Sequence, residues 1–261
     1  MALNNIKVSI IVVTLNNLKG LKKTLSSCQK QQIINNEVIV IDGASTDGTV
    51  AYLNSFSELN NSWVSEKDHG IYNAMNKGLS YAKGKWIIFM NAGDVFYQNN
   101  TIFNALLLVD NDIDIIFCDV EIDQKYYKYT IKAKKINCLK NGMICSHQSM
   151  IFKNSVFKKC RFDERFKYVA DYDIFLRCFL SGFKILYRPI IFSKYQAGGL
   201  SEKNRFSRDL EVFKSIRSNY ARVSLSQYFY TFRALFFSSI VILFGKFKTK
   251  FLIDYIIRFF R

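Results

Sequence analysis

Three apolar runs constrain this chain more than any other feature. Residues 8–13, 38–41 and 86–90 are nearly continuous in hydrophobicity, rich in Val and Ile, and too short for globular helices. A strand without polar alternation must be covered on both faces, which points to a mostly parallel sheet between helical layers. The intervening segments supply those layers. Residues 18–31 set Leu18, Leu21 and Leu25 at helical spacing, and further helices are predicted over about 49–59 and 71–82. A short strand at 62–65 lies between them. Each long apolar run ends in a polar loop, at residues 14–16, 42–47 and 91–94. Ligands of open α/β sheets bind beyond the carboxyl ends of the strands, so these three loops form the candidate site.

Further along, strands are predicted at 113–119, 126–131 and 148–152, and a helix at 171–180. Two nucleotide-binding options are excluded. No G-x-G-x-x-G follows the first strand, and no G-x-x-x-x-G-K-[ST] occurs anywhere. The six cysteines have no C-x-x-C pair, which argues against a zinc site or a disulfide framework. Residues 6–15 are apolar enough to raise a signal peptide, but Lys7 and the lack of a small-residue cleavage site favour a cytosolic strand.

Charge enters here. Lys and Arg number 37 against 21 Asp and Glu, a net +16, so an anionic partner is expected. Among the loop carboxylates, Asp42 would accept hydrogen bonds from a base or ribose, and Asp94 offers a hard oxygen ligand for a divalent cation. Ordinary turn chemistry also favours Asp, Asn and Gly at such positions. Asp171 reads either as a site carboxylate or as the N-cap of the helix that follows.

The order of the pieces is more telling than any one. Val8-Ser9-Ile10-Ile11-Val12-Val13-Thr14-Leu15-Asn16 is followed by Val38-Ile39-Val40-Ile41-Asp42-Gly43-Ala44-Ser45-Thr46-Asp47-Gly48-Thr49. Then come Ser65-Glu66-Lys67-Asp68-His69-Gly70-Ile71-Tyr72-Asn73-Ala74-Met75-Asn76-Lys77-Gly78, Phe89-Met90-Asn91-Ala92-Gly93-Asp94, Ser146-His147-Gln148-Ser149 and Ala170-Asp171-Tyr172-Asp173. Across roughly residues 6–200 the chain resembles family-2 glycosyltransferases of the GT-A fold, in the branch found in bacterial surface-polysaccharide clusters, including colanic-acid-type enzymes. The resemblance implies a Rossmann-like sheet flanked by helices, with a nucleotide-binding half over about 1–110 and an acceptor half over about 111–220. It implies an inverting hexosyl transfer from a nucleotide-sugar, a UDP-sugar, to a lipid-diphosphate-linked saccharide.

Residue by residue, the resemblance places Thr14, Asn16 and Asp42 on the uridine, with Asp68, Asn76 and Lys77 on the same side. Asp94 would bind Mg²⁺ or Mn²⁺ at the donor diphosphate, and Asp171 would be the general base. His147, Gln148 and Gly199 would contact donor or acceptor, and Arg177 would support Asp171. One departure stands out: many relatives carry two or three carboxylates where this chain has Asn91-Ala92-Gly93-Asp94. That departure motivates the alternative of a non-catalytic sugar-nucleotide-binding or scaffold module.

The tail after about residue 221 holds seven Lys and Arg against Asp254 alone, and 12 aromatics. Its longest uncharged stretch, residues 234–245, is 12 residues, whereas a spanning helix needs about 20. Phe247, Phe251, Tyr255 and Phe259 recur at spacing four beside Lys246, Lys250 and Arg258, the pattern of an interfacial helix. The alternative is a helix packed back on the catalytic core, with its cations solvated. A peripheral protein on the inner face of the cytoplasmic membrane is therefore expected. Nucleic acid is not an expected partner, because the aromatics concentrate in an apolar tail and no recognition motif is present.

Overall fold

Strand β1 (Val8–Thr14) is buried along its whole length and lies between two parallel neighbours. These are β2 (Asn36–Asp42) and β4 (Trp86–Asn91). The computed structural model describes residues 7–32, 35–55, 61–124, 127–220, 224, 227–229, 232–236 and 238–239. Alternate side chains of β1 face two separate cores. Val8, Ile10 and Val12 meet Leu21, Leu25 and Cys28 of α1 (Leu18–Gln29), together with Leu53 of α2 (Thr49–Ser55). Ile11 and Val13 meet Tyr72, Met75 and Leu79 of α3 (Ile71–Tyr81). Coverage on both faces is what the unbroken apolar runs demanded.

Parallel order continues to β3 (Asn61–Ser65) on one side. On the other side β8 (Met150–Lys153) enters antiparallel to β4 and leads to β6 (Ile115–Gln124). The full order is β3-β2-β1-β4-β8-β6-β9-β5, with β7 (Tyr127–Ile131) hairpinned onto β6. The strand expected at 148–152 starts later, because His147–Ser149 form a 3₁₀ turn.

Among the elements that escaped the sequence reading are β9 (Ile185–Gln196), α4 (Thr101–Leu106), the short α6 (Leu200–Lys203) and α7 (Arg205–Asn219). Strand β9 contains Pro189, the only proline. The register against β6 slips where Cys118 faces Arg188 and Asp119 faces Ile191, so the missing N–H falls at a bulge. β5 (Val95–Phe96) pairs with β9 and ties the loop after β4 to the strand that leads into Gly198-Gly199.

Helix α5 (Ala170–Leu180) is seated from behind by α7. The buried Asp173 carboxylate accepts hydrogen bonds from Arg177 Nε (2.7 Å), Ser215 Oγ (2.8 Å) and Asn219 Nδ2 (3.0 Å). Glu211 of α7 accepts from the Lys167 and Tyr168 backbone N–H groups. Breaking a buried hydrogen-bonded charge of this kind is costly, so Asp173 fixes the angle of α5. The aromatic stripe at Phe247, Phe251, Tyr255 and Phe259 lies outside the described residues.

The sheet is locked at its opposite end by Ser9, fully buried in β1. Its hydroxyl donates to Glu37 Oε1 (2.5 Å) and accepts from Gly84 N (2.7 Å), while Lys83 N also donates to Glu37 (2.7 Å). A Cβ on Gly84 would stand 2.5 Å from the Ser9 backbone nitrogen and 2.9 Å from Trp86 O. Gly84→Ala is expected to destabilise the fold by about 1–3 kcal/mol, because neither backbone can yield without opening the β1–β4 ladder. Urea melts of the two proteins, read as a midpoint shift at constant slope, check this; equal midpoints would show that the approach is relaxed.

Candidate functional site

Register decides where the loops meet. Thr14 stands opposite Asp42, and Val13 opposite Asn91, so the carboxyl ends of β2, β1 and β4 lie side by side. Asn17, the N-cap of α1, bridges two of the loops: its Oδ1 accepts from Gly20 N (3.0 Å) and its Nδ2 donates to Ala92 O (2.7 Å). Thr24 grips the third loop from below. Its buried hydroxyl donates to Asp94 O (2.7 Å) and accepts from Gly93 N (2.9 Å). Gly93 has φ +113°, a conformation open to glycine at little cost.

At the β1–β2 end, Asp42 is fully buried. Its oxygens accept from Ser45 N (2.9 Å), Ser45 Oγ (2.5 Å) and Ser65 Oγ (2.6 Å). It therefore braces the 43–48 turn and keeps little acceptor capacity for a ligand. Asn16 adopts φ +49° and accepts from Thr46 N (2.8 Å). Thr14 Oγ1 is buried without a partner among the described residues, a hydroxyl placed for an incoming group. Asp68 lies hard against Gly43: a Cβ there would meet its Oδ2 at 2.6 Å. Lys77 pairs with Glu66 (2.8 Å) and donates to Lys67 O (3.0 Å), beside Asp68.

Two expectations need correction. The Asn76 side chain is engaged by the 161–164 loop. Its Nδ2 donates to Phe162 O (2.9 Å) and Glu164 Oε1 (2.8 Å), and its Oδ1 accepts from Phe162 N (3.2 Å), so it clips the 161–164 loop to α3. Arg177 supports Asp173 rather than Asp171, because a helix brings residues four apart together. Nor is Asp171 the N-cap of its helix: Val169 holds that position, and Asp171 sits in the first turn.

The remaining residues converge on one cavity of about 1210 Å³. Asp94, His147, Gln148, Asp171 and Gly199 all line it, and so do Lys19 and Lys23 of α1 beside the 91–94 loop. Asp171 Oδ1 accepts from Tyr72 OH (3.1 Å) and Tyr172 N (2.8 Å), while Oδ2 faces His147 Nδ1 at 3.4 Å. Burial opposes charge on His147, but Asp171 and then Asp94 outweigh it, and its pKa is raised. Tyr72 went unrecognised as a site residue, although it lies within the motif that carries the resemblance.

Asp94 is 7% exposed. Burial pushes its carboxyl from 3.8 up to about 6, against the opposing pull of His147, the Asn91 N–H and Gln148. Among the described residues no three His, Cys, Asp or Glu side chains cluster as a metal site. A single buried carboxylate still fits Mg²⁺ or Mn²⁺, which take few protein carboxylates and complete their shell with water and phosphate oxygen. Asn91 Oδ1, buried without a partner among the described residues, is an acceptor that a coordinated water would satisfy.

The raised Asp94 value carries a sign. The native carboxyl titrates above its unfolded counterpart, so its charge costs nothing below about pH 4. The penalty grows up to about pH 6 and is full above it. Asp94→Asn is expected to stabilise the metal-free protein at pH 8 by up to about 3 kcal/mol, and to leave it unchanged near pH 4. Thermal melts at the two pH values test this, and a variant less stable at pH 8 would contradict it.

Known proteins resemble this chain in sequence and in fold. A family model described as "Glycosyl transferase family 2" matches residues 9–161. A PGL/p-HBAD biosynthesis glycosyltransferase of Mycobacterium bovis is 28% identical over 201 residues, covering 74% of this chain and 78% of the relative. An uncharacterized glycosyltransferase of Rickettsia prowazekii is 26% identical over 234 residues, covering 82% and 71%. Among solved structures, S. aureus TarS 1-349 in complex with UDP superposes with a TM-score of 0.65 at 19% identity, covering 88% of this chain and 69% of that one. Mannosyltransferase PcManGT from Pyrobaculum calidifontis, in complex with GDP-Man and Mn2+, gives 0.65 at 19% identity, covering 88% and 68%. The structural likenesses establish the fold, which is that of the GT-A glycosyltransferases. Since the family model spans more than half of the sequence, the chain belongs to glycosyl transferase family 2 and is a glycosyltransferase.

Proposed function

We propose that this enzyme transfers a hexose from a UDP-sugar to a lipid-diphosphate-linked saccharide, with inversion, in the assembly of a bacterial surface polysaccharide. The observation that carries this reading is that Asp171 and Asp94 line one cavity, beside the carboxyl ends of β1 and β4. Solved neighbours bound to UDP and UDP-GlcNAc support the donor class. Thr14, Asn16 and Asp68 would form the uridine end, with Asp42 bracing the 43–48 turn and Lys77 tethering the segment after β3. Asp94 would hold Mg²⁺ or Mn²⁺, which when bound neutralises diphosphate charge and improves the leaving group.

Asp171 takes the proton from the acceptor hydroxyl. The acceptor oxygen bonds to the anomeric carbon from the face opposite the diphosphate, and the bond from that carbon to the diphosphate oxygen breaks. The nucleoside diphosphate leaves with the electron pair. Positioning contributes most of the rate, since an aspartate is a weak base. Gln148 and Gly199 stand on the cavity wall where the saccharide would lie.

The acceptor reading draws on the tail. Phe232 is 72% exposed, Phe229 63% and Phe236 54%, a row of rings suited to a membrane interface. The same segment is fastened to the core: Ser238 Oγ donates to Asp209, and Gln227 Nε2 to Lys140 O. No helix of the described residues is long and apolar enough to cross a membrane. A protein held peripherally at the inner face of the cytoplasmic membrane fits both facts. The PGL/p-HBAD biosynthesis relative favours a second reading, in which the acceptor is a lipid of another class.

A panel of UDP-sugars offered with a lipid-diphosphate monosaccharide and with a lipid glycoside lacking phosphate separates these readings by UDP release. No release with any pair would favour a non-catalytic module. Asp171→Asn is expected to reduce transfer by about 10²–10⁴-fold while UDP binding is kept; wild-type turnover in that variant would remove the base assignment. Truncation after residue 220 is expected to abolish co-sedimentation with anionic vesicles, and retained binding would place the anchor elsewhere.

A further inference from the structure

Asn91 stands where a carboxylate would serve a cation better, and its side chain points to a different task. Asn91 Nδ2 lies 3.1 Å from His147 Nε2. With the amide nitrogen on this side Asn91 can only donate, and in the neutral ring Nε2 is then the acceptor. The neutral imidazole then bears its hydrogen on Nδ1, which faces Asp171 Oδ2 at 3.4 Å. We propose that His147 is a positioning residue for Asp171, and that Asn91 makes it one by fixing the Nδ1–H tautomer. This rests on the reading of Asp171 as the base.

Each partner is held from behind. Asn91 N donates to Asp94 Oδ2 (3.0 Å), and Asn91 O lies near the Thr24 hydroxyl. His147 opens a 3₁₀ turn whose Ser149 is fully buried, with its Oγ bonded to Asp119 O (3.1 Å) and Ser193 Oγ (2.8 Å). Tyr72 OH and Tyr172 N occupy Asp171 Oδ1. His147 faces one side of Oδ2 and leaves the remaining lone pair of that oxygen for the acceptor proton. The chain of contacts thus couples the loop that carries Asp94 to the orientation of the base. Aspartate at position 91 would accept rather than donate and draw a proton to Nε2, leaving the ring protonated on both nitrogens between two carboxylates.

Histidine is rare here, which makes the tautomer measurable. The chain has two, His69 and His147. In ¹⁵N-histidine-labelled His69→Gln protein, long-range ¹H–¹⁵N spectra above the titration of the ring are expected to show His147 protonated on Nδ1. Adding Asn91→Asp is expected to put a proton on Nε2. A wild-type ring protonated on Nε2 would overturn the proposal, as would a tautomer indifferent to residue 91.

Kinetics supply the second arm. His147→Leu removes the donor, whereas His147→Asn keeps an N–H near the position of Nδ1. The Leu variant is expected to lose on the order of 10–100-fold in kcat with donor KM nearly unchanged, and the Asn variant to recover most of that loss. Equal losses in the two variants, or a raised KM at constant kcat, would make His147 a packing or substrate-contact residue instead. If wild-type protein turns over no donor, the proposed function fails, yet the tautomer measurement still decides the role of Asn91.

Discussion

Everything at the site depends on the in-register parallel pairing of β2, β1 and β4. Because Thr14 faces Asp42 and Val13 faces Asn91, three loops separated by dozens of residues emerge at one edge of the sheet. That register is enforced chemically. A slip of one residue would turn Ile11 and Val13 toward the α1 core, and Ile10 and Val12 toward the α3 core, exchanging both buried faces at once. The Ser9–Glu37–Gly84 knot pins the far end of the same strands. A packing constraint at Ser9, about 17 Å of strand from Thr14 at roughly 3.3 Å per residue, thereby helps set the geometry at the carboxyl edge.

The second organising element is the seating of α5. Asp173 faces α7 and Asp171 lines the cavity, two residues apart on one helix with opposite duties. One carboxylate is buried and saturated with donors, which suits structure. The other keeps an oxygen facing the cavity, which suits proton transfer. Asp42 and Asp94 divide in a similar way: Asp42 braces a turn through two serines, whereas Asp94 is buried with less compensation and its pKa rises to about 6. Under the proposed role of Asp94, a bound cation would offset the stability that this buried charge costs.

Much of this was legible beforehand. The strands near residues 8–13, 38–41 and 86–90 and the helices that cover them were readable from apolar runs, and the family resemblance named both Asp94 and Asp171, which line one cavity. What escaped had weak local signals. Strand β9 contains a proline that a central ladder should reject, and only the bulge opposite Cys118 and Asp119 makes room for it. Helix α7 is largely polar and follows its neighbours closely, so no periodicity announced it. Asn76 lies inside a motif that carries the resemblance and Arg177 four residues beyond another, and their side chains fasten the 161–164 loop and Asp173.

By itself the sequence determined the covered parallel half of the sheet and the polar loops at its carboxyl edge. Hydrophobic patterning and turn residues act over a few positions, and a chain records them locally. Only the tertiary structure decided which carboxylates are available for chemistry, because availability depends on donors arriving from distant segments. Ser45 and Ser65 consume Asp42, Ser215 and Asn219 consume Asp173, and His147 with Tyr72 leaves part of Asp171 open. Identical side chains differ in role through what packs against them, and that is a property of the fold.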